Sequence, residues 1–224
     1  MNSEKIKRGY KILSKEYGSQ GWWPIIDTKS SLSVYDKRFP KRERSSEEKF
    51  EICIGAILTQ NTSWQNVEKA LINLKKNNLL SLSKLEKTDT KKIARLIKPS
   101  GYYNQKAKKV KELVKFLKSG KDISRENLLS VWGVGPETAD SILLYAYNKP
   151  VFVIDAYTKR IMNRLGFGQE DYGALQELFM KNLPKDAVLY NEYHALMVRL
   201  AKDFCRTVPV CECCHLRTIC KCNY

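Results

Sequence analysis

Apolar side chains recur at the three- and four-residue spacing of an α-helix along most of this 224-residue chain. Ile6, Tyr10 and Leu13 mark the first such stretch. The only run that is typical of a strand, VFVI at 151–154, is too short and too isolated to form a sheet. A chain of this kind buries its apolar faces by packing helix on helix. The sequence therefore predicts an all-α protein.

Capping residues help to locate the helix boundaries. Ser45 with Glu48 forms a capping box ahead of EKFEICIGAIL, and Thr62 with Gln65 forms another. Further helices are predicted to begin at Asn104 and to cover 138–147, 156–165, 172–183 and 186–204. The segment 27–46 is polar and carries a basic run, so we expect it to be the least ordered part of the chain.

The charge of the chain is strongly positive, because 40 Lys and Arg residues against 24 Asp and Glu residues give a net charge of +16. Such an excess favours a polyanionic partner, most simply nucleic acid, although solvated lysine faces in a lysine-rich proteome give the same balance. No apolar run approaches the roughly 20 residues that span a bilayer. The stretch MNSEKIKRGYKIL has charges where a signal peptide needs an apolar run. We therefore expect a cytoplasmic protein with no membrane partner.

Six of the seven cysteines lie between Cys205 and Cys222. Inside the cell, clustered cysteines are more often metal ligands than disulfides. Four of them form the pattern C-x5-C-x2-C-x5-C: Cys205, Cys211, Cys214 and Cys220. Four thiolates on a short loop suit either a structural zinc ion or an iron–sulfur cluster, and the spacing alone does not choose. Cys213 or Cys222 could also replace one of the four ligands.

A glycine turn, Gly133-Val134-Gly135, separates two predicted helices. Glycines permit a tight turn, and the N–H groups at the start of the next helix form an anion site that suits a phosphate. Any tight turn between helices can use such glycines, so this motif alone is weak evidence. Twenty residues after Gly135, VFVI leads into a helix at Asp155, where a carboxylate is typical of an N-cap.

Together these features resemble the helix-hairpin-helix DNA glycosylases. The glycine hairpin, the aspartate after VFVI and the C-terminal cysteine loop come in that family's order on a basic, all-α chain. The cysteine loop is similar to that of endonuclease III and of the MutY adenine glycosylases, although its first gap is one residue shorter. The resemblance therefore implies a 4Fe–4S cluster rather than zinc, with a structural or DNA-positioning role.

Three further motifs are similar to those of the 3-methyladenine DNA glycosylase III branch: GWWP at 21–24, GAILTQNTSW at 55–64 and PSGYYNQKAKK at 99–109. With the hairpin and VIDAY, the similarity covers almost the whole chain. The best-known alkyl-base enzyme of that branch lacks the cysteine loop. Because of this difference, the resemblance does not identify which damaged base the enzyme removes.

The resemblance implies that Asp155 is the catalytic carboxylate. Breaking an N-glycosidic bond builds positive charge on the sugar, and a nearby carboxylate stabilises that charge and can activate water. Relatives that also cut the strand carry a lysine on the helix after the hairpin, which forms a Schiff base. Glu137 occupies that position here, and no lysine occurs from Trp132 through Asn148. We therefore expect a monofunctional glycosylase that leaves an abasic site.

The resemblance also implies which residues meet the DNA. A flipped base needs flat partners, and the implied pocket consists of Trp22, Trp23, Pro24 and Trp64. Gln60 would fill the gap that the base leaves, and the other implied DNA contacts are Asn61, Gly133, Val134, Gly135 and Lys106. These residues also have simpler interpretations: a tryptophan can belong to the core, and a lysine can be solvated surface. His194, alone on an apolar helix, is expected to be structural.

The implied architecture is two helical lobes. The central lobe, 47–155, would carry the hairpin, and 1–46 with 156–224 would form the other, including the cluster loop 205–220. The implied monomeric enzyme releases a damaged base from double-stranded DNA, with 3-methyladenine or another alkylated purine as the leading substrate. Two alternatives stay open: a glycosylase for uracil or mismatched thymine, and an endonuclease III-like glycosylase and lyase for oxidised pyrimidines.

Overall fold

The computed structural model describes residues 2–27, 29–38, 42–168 and 170–221, and the all-α prediction is confirmed. The helices are α1 (Asn2–Tyr17), α2 (Ser46–Leu58), α3 (Trp64–Lys76), α4 (Leu82–Lys87), α5 (Thr90–Leu96), α6 (Tyr103–Lys118), α7 (Arg125–Leu129), α8 (Pro136–Ser141), α9 (Ala156–Met162), α10 (Tyr172–Asn182) and α11 (Ala187–Asp203). Wider π turns extend α8 over Ile142–Ala146 and α9 over Asn163–Phe167, and 3-10 turns cover Lys98–Ser100 and Arg217–Ile219. None of the helices within these described ranges has the length and apolar character needed to cross a membrane.

The chain divides into two compact units. The central unit is Trp23–Asp36 with Arg42–Asn148, and the terminal unit is Met1–Trp22 with Lys37–Lys41 and Lys149–Tyr224. The predicted lobe border at 155 differs from this division, which follows Asn148 and assigns Asp155 to the terminal unit. Most of the segment 23–46 also belongs to the central unit rather than to the predicted second lobe.

Helix α2 is the buried helix of the central unit. All its residues from Phe50 to Leu58 are buried, and α2 packs against α3, α6 and the π segment 142–146. The predicted capping box is present, because the Ser45 hydroxyl accepts the Glu48 N–H while the Glu48 carboxylate accepts the Ser45 N–H. A helix that is buried on every side is held by its neighbours. The loop that follows Leu58 is therefore attached to a well-packed helix.

A two-stranded antiparallel sheet lies beside α2. Strand β1 (Ile25–Ile26) pairs with β2 (Ser33–Val34), so part of the segment that was expected to lack order is regular. Glu51 of α2 accepts the Ile26 N–H at 2.7 Å and pairs with Lys75 at 2.7 Å. Burial raises the pKa of Glu51, and the bonds from Ile26 and Lys75 only partly offset that effect.

Two of the predicted helix starts are wrong. Helix α3 begins at Trp64 with Ser63 as its N-cap, so Thr62 and Gln65 do not form a capping box there. Helix α6 begins at Tyr103 rather than after Asn104, and its N-cap Tyr102 has a left-handed backbone with φ of 44°. Both errors have one cause: a turn in the preceding loop, rather than a capping side chain, sets where the helix begins.

Helix α11 is the buried helix of the terminal unit and packs against α1 and α9. The Tyr193 hydroxyl donates to the Ile6 carbonyl at 2.9 Å, which joins α11 to α1. The VFVI run is an extended, buried connection rather than a strand. The Phe152 ring stacks on Phe179 of α10 at 4.0 Å. This packing fixes the chain immediately before Asp155.

Candidate functional site

Asp155 is the N-cap of α9, as its position after VFVI predicts. Its Oδ1 accepts the backbone N–H of Thr158 at 2.7 Å. The side chain is 14% exposed, so the carboxylate is largely shielded from water. A helix N-terminus stabilises a negative charge through its unpaired N–H groups and its dipole. The local sequence therefore explains how Oδ1, one of the two carboxylate oxygens of Asp155, is held.

The second oxygen of Asp155 faces a histidine that sequence reasoning assigned only to structure. Nε2 of His194, on α11, lies 3.6 Å from Oδ2 of Asp155, and the His194 side chain is 7% exposed. Burial would raise the pKa of Asp155, but attraction to His194 and the bond from the Thr158 N–H outweigh it and lower the pKa. The arrangement keeps a shielded carboxylate ionised. No sequence pattern signals it, because His194 and Asp155 are far apart along the chain.

Lys202, also on α11, is a further charge that acts on Asp155. Burial and the nearby Arg199 lower the pKa of Lys202, while Asp155 and Asp203 oppose that shift. Asp155 therefore has two basic groups of α11 within electrostatic reach, His194 and Lys202.

The glycine hairpin lies in the central unit between α7 and α8. Gly133 has φ of 87°, a left-handed conformation that glycine adopts without strain. A Cβ at Gly133 would clash with Cγ of Lys109, so the lysine stem covers this turn. The N–H of Val134 bonds to the Val131 carbonyl at 3.0 Å, and its side chain is buried. The predicted DNA contact at Val134 therefore does not include its N–H group in this structure. Gly135 is the N-cap of α8.

Gln60 is bound to this hairpin. Its Nε2 donates to the Gly133 carbonyl at 2.9 Å and to the Thr138 hydroxyl at 3.0 Å. Its Oε1 accepts from Nζ of Lys109 at 2.6 Å. The neighbouring Asn61 is exposed and has a left-handed φ of 52°. The structure thus brings together the predicted contacts Gln60 and Gly133, although they lie far apart in sequence.

Lys106 is not the solvated, phosphate-binding lysine that the sequence predicts. It is 2% exposed, and its Nζ donates to the carbonyls of Leu58 at 2.8 Å and Ser100 at 2.7 Å. Burial, with a smaller effect from Lys109, lowers the pKa of Lys106 to about 8. Lys106 therefore joins the end of α2 to the turn before α6. A cation held this way is unavailable to DNA.

The predicted base-pocket residues divide into buried and partly exposed positions. Trp23 is 3% exposed and Pro24 is also buried. The Trp23 ring packs edge-on against Trp64 at 5.4 Å and tilted against Tyr145 at 5.4 Å. Trp64 is partly exposed, as is Trp22 in the terminal unit. Trp23 is therefore a core residue that supports Trp64, and Trp64 keeps surface for a ligand.

The four predicted ligand cysteines all lie in the terminal unit, and each is half-buried. Burial raises the pKa of the Cys214 thiol, its bond to Leu216 opposes this, and the charges of Cys205, Cys220 and Cys211 raise it further. Cys213 is exposed, and Cys222 lies outside the described residues. In the described part of the chain, no three His, Cys, Asp or Glu side chains meet closely enough to hold one metal ion. A 4Fe–4S cluster spreads its thiolates over separate irons and does not need such a meeting point.

Two arginines hold the start of the cysteine loop. Nη1 of Arg164 donates to Sγ of Cys205 at 3.3 Å and to the Arg206 carbonyl at 2.6 Å. Nε of Arg160 donates to the Cys205 carbonyl at 2.8 Å. Positive charge and N–H donors beside the sulfurs stabilise thiolates, as a cysteine-bound cluster requires. The donor set therefore fits the predicted group.

Comparison with known proteins assigns the family. Residues 54–185, which include the hairpin and Asp155, match the description "HhH-GPD superfamily base excision DNA repair protein". This chain belongs to the HhH-GPD superfamily. It is therefore a DNA glycosylase of base excision repair.

Two relatives and one solved structure illustrate the likeness. The chain is 45% identical to a protein of Methanocaldococcus jannaschii named as a DNA repair glycosylase, over 97% of this chain and 96% of the relative. It is 33% identical to endonuclease III of Thermotoga maritima, over 83% of this chain and 88% of the relative. The solved 3-methyladenine DNA glycosylase of H. pylori, bound to 1,N6-ethenoadenine, is 30% identical with a TM-score of 0.71, over 90% of this chain and 97% of the other.

Proposed function

We propose that this glycosylase is monofunctional and hydrolyses the N-glycosidic bond of an alkylated purine, such as 3-methyladenine, flipped out of double-stranded DNA. The observation that carries the proposal is Asp155, a shielded carboxylate that His194 and the Thr158 N–H keep ionised. Likeness to the H. pylori 3-methyladenine enzyme supports the substrate class.

Asp155 is the catalytic carboxylate in this proposal. The bond from C1′ to the base nitrogen breaks with both electrons leaving on the base, so positive charge develops on the sugar. A fixed carboxylate in a shielded site stabilises that charge more strongly than one in water. Water then attacks C1′ and loses a proton, which Asp155 accepts or passes to solvent. An alkylated purine already carries positive charge and leaves as a neutral base, so no acid is required for it.

Of the two proposed pocket tryptophans in the central unit, Trp64 is the one with surface to offer the base, because Trp23 is buried. An electron-rich indole face attracts a cationic ring by up to about 2 kcal/mol when both are desolvated. The edge of the buried Trp23 lies against Trp64 and fixes its ring. Pro24, also in the central unit, stays in the proposed pocket as a secondary member, whereas Trp22 belongs to the terminal unit.

The hairpin and Gln60 are the proposed DNA contacts of the central unit. Gly133 and Gly135 shape the turn, while Asn61 stands exposed beside Gln60. The lack of a lysine supports a monofunctional enzyme, because Glu137 lies in the first turn of α8 where a Schiff-base lysine would stand.

Cys205, Cys211, Cys214 and Cys220 would hold a 4Fe–4S cluster. Such a cluster would cross-link the loop. It would take no part in base hydrolysis, because that reaction transfers no electrons. Leu216 and Ile219 of the loop are buried, so the group would fix a loop that already packs on the terminal unit.

Base release from a panel of duplexes tests the proposal. The panel holds 3-methyladenine, 7-methylguanine, hypoxanthine, uracil, mismatched thymine and thymine glycol. We expect wild type to release methylated purines and to leave the strand intact until alkali treatment. Asp155→Asn should bind the same duplex and lose turnover. Asp171→Asn is the matched control, because Asp171 caps α10 with the same 2.7 Å bond to a backbone N–H. Release of uracil or thymine alone would overturn the substrate.

An endonuclease III-like glycosylase and lyase is the second candidate, favoured by the 33% identity to the Thermotoga enzyme. It requires a covalent sugar–lysine intermediate, which borohydride traps. Trapped enzyme on a thymine glycol duplex would replace the monofunctional proposal, whereas intact strands and no adduct would exclude the lyase.

A further inference from the structure

We propose that His194 is a positioning residue for the glycosylase reaction: it holds Oδ2 of Asp155 from α11 while the Thr158 N–H holds Oδ1 from α9. The proposal rests on the catalytic role of Asp155 given above. It assigns a task to a residue that an apolar helix alone would mark as structural.

The geometry gives the carboxylate two separate anchors. Oδ1 accepts the Thr158 N–H at 2.7 Å, and Oδ2 lies 3.6 Å from Nε2 of His194. With only the first bond, the carboxylate could rotate its second oxygen. At 3.6 Å the histidine contact is longer than a formed hydrogen bond and acts through charge and dipole. Contacts of this kind in a free enzyme shorten when substrate binds.

His194 itself is held in place by packing. Its ring lies edge-on to Phe152, which stacks on Phe179. Helix α11, which carries His194, packs against α1 and α9. A histidine on a well-packed helix restricts the motion of the carboxylate that it contacts. Small displacements of a catalytic group cost up to about 100-fold in rate, so such fixity has kinetic value.

Helix capping alone does not need this histidine. Asp89, Asp171 and Asp186 cap α5, α10 and α11 by accepting backbone N–H groups, as Asp155 does at α9. The chain has two histidines, and the other, His215, faces Glu16. Asp155 is thus the only one of these four caps in ion-pair contact with a histidine, and it is the one at the proposed catalytic position.

The contact also has a consequence for charge. Attraction to His194 lowers the pKa of Asp155 against the effect of burial, and Lys202, also on α11, is electrostatically coupled to Asp155. Without His194, the Thr158 contacts still oppose burial, but the protonated carboxyl, which cannot stabilise a cationic sugar, would form at higher pH. The acid limb of the pH–rate profile should therefore move to higher pH when His194 is replaced, because the lowered pKa of Asp155 rises.

Single-turnover base release, measured against pH on the panel duplex that wild type processes fastest, tests the proposal. We expect His194→Leu to lower the rate near neutral pH by about 10- to 100-fold. The acid limb should move upward and the Kd for DNA should stay unchanged. His194→Gln keeps an N–H donor but has no charge. Its rate should fall less than that of His194→Leu, and the acid limb of its pH–rate profile should still lie at higher pH than that of wild type.

Tyr193→Phe is the matched control on the same helix. It removes the bond to the Ile6 carbonyl without touching Asp155, so it should lower the melting temperature and leave the acid limb in place. If both His194 variants keep the wild-type rate and limb, the proposal is wrong. If His194→Leu does not fold, His194→Gln decides alone, because it is close to histidine in size.

A stability measurement separates this proposal from the proposed function. A carboxyl with a lowered folded pKa stabilises the fold above its unfolded pKa, and this is lost as pH falls through the folded pKa. Wild type should therefore gain melting temperature over Asp155→Asn as pH rises through that window, and the gain should shrink in the His194→Gln background. An unchanged gain would reject the contact. Active Asp155→Asn protein would instead reject the catalytic role.

Discussion

At the scale of single residues, burial decides which charged side chains the sequence can assign. Asp155 follows an apolar run and begins a helix, so its place and its capping bond were predictable. The resemblance implies a DNA contact for Lys106, although Lys106 precedes Val110 by one turn, on the face that packs inward. That spacing indicated a buried position for Lys106. It is easily overlooked, because lysine side chains are usually exposed to water. The contact of His194 with Asp155 is tertiary and left no trace in the sequence.

Lys106→Ala tests the buried lysine. The substitution leaves the carbonyls of Leu58 and Ser100 without their donor in a buried place. We expect a loss of about 2–4 kcal/mol in the free energy of unfolding. Lys108→Ala is the control, since Lys108 is exposed on the same helix and should change stability by less than about 0.5 kcal/mol. Equal urea-unfolding midpoints for the two variants would contradict the assigned role.

At the scale of elements, periodicity predicted which segments are helical, and local turns decided where several begin. The Ser45 capping box is correct because side chain and backbone agree there. Helices α3 and α6 begin at Trp64 and Tyr103, and their N-cap residues Ser63 and Tyr102 provide no side-chain hydrogen bond. The bonds of Gln60 to the hairpin join α2's loop to residues more than 70 positions away. Such a bond depends on how α2, α6 and α8 pack, which no local pattern records.

Gly133→Ala tests the hairpin element. A non-glycine residue at φ of 87° is strained, and its Cβ would displace the Lys109 stem. We expect a loss of about 1–3 kcal/mol in unfolding free energy. Gly135→Ala should cost less, because Gly135 has φ of −93° and open space at its Cβ position, so only the weaker N-capping of alanine remains, at about 0.5–1 kcal/mol. Similar thermal unfolding of both variants would show that the turn tolerates a side chain at either glycine.

The cysteine loop offers a second test at this scale. Cys214→Ser removes a thiol that interacts with the other three proposed ligands, whereas Cys213→Ser removes an exposed thiol outside that set. We expect the first variant to lose most of its iron and acid-labile sulfide and to melt at lower temperature, and the second to match wild type. Zinc in place of iron in the purified wild type would refute the cluster, and iron loss from the Cys213 variant would change the ligand set.

At the scale of the whole molecule, the resemblance predicted more than the physics of the sequence alone. Charge indicated a polyanion, and periodicity indicated helices, but only the order of the motifs indicated a glycosylase. The family match over 54–185 confirms that inference. The assignment of residues 23–36 to the central unit was not predictable, because it depends on tertiary contacts such as the bond of Ile26 to Glu51 rather than on chain order.

The net charge of +16 gives the last prediction. Binding that neutralises phosphates releases counterions, so affinity for duplex DNA should fall linearly with salt on a logarithmic scale. For about four or more neutralised phosphates, the loss between 50 and 200 mM salt is at least about 100-fold. Chemistry at Asp155 occurs in a shielded site, so the single-turnover rate at saturating enzyme should change little over that range. Fluorescence anisotropy and base release on one lesion duplex would measure the two quantities. Salt-independent affinity would mean that the lysines are solvated surface and that binding rests on the hairpin and aromatic contacts alone.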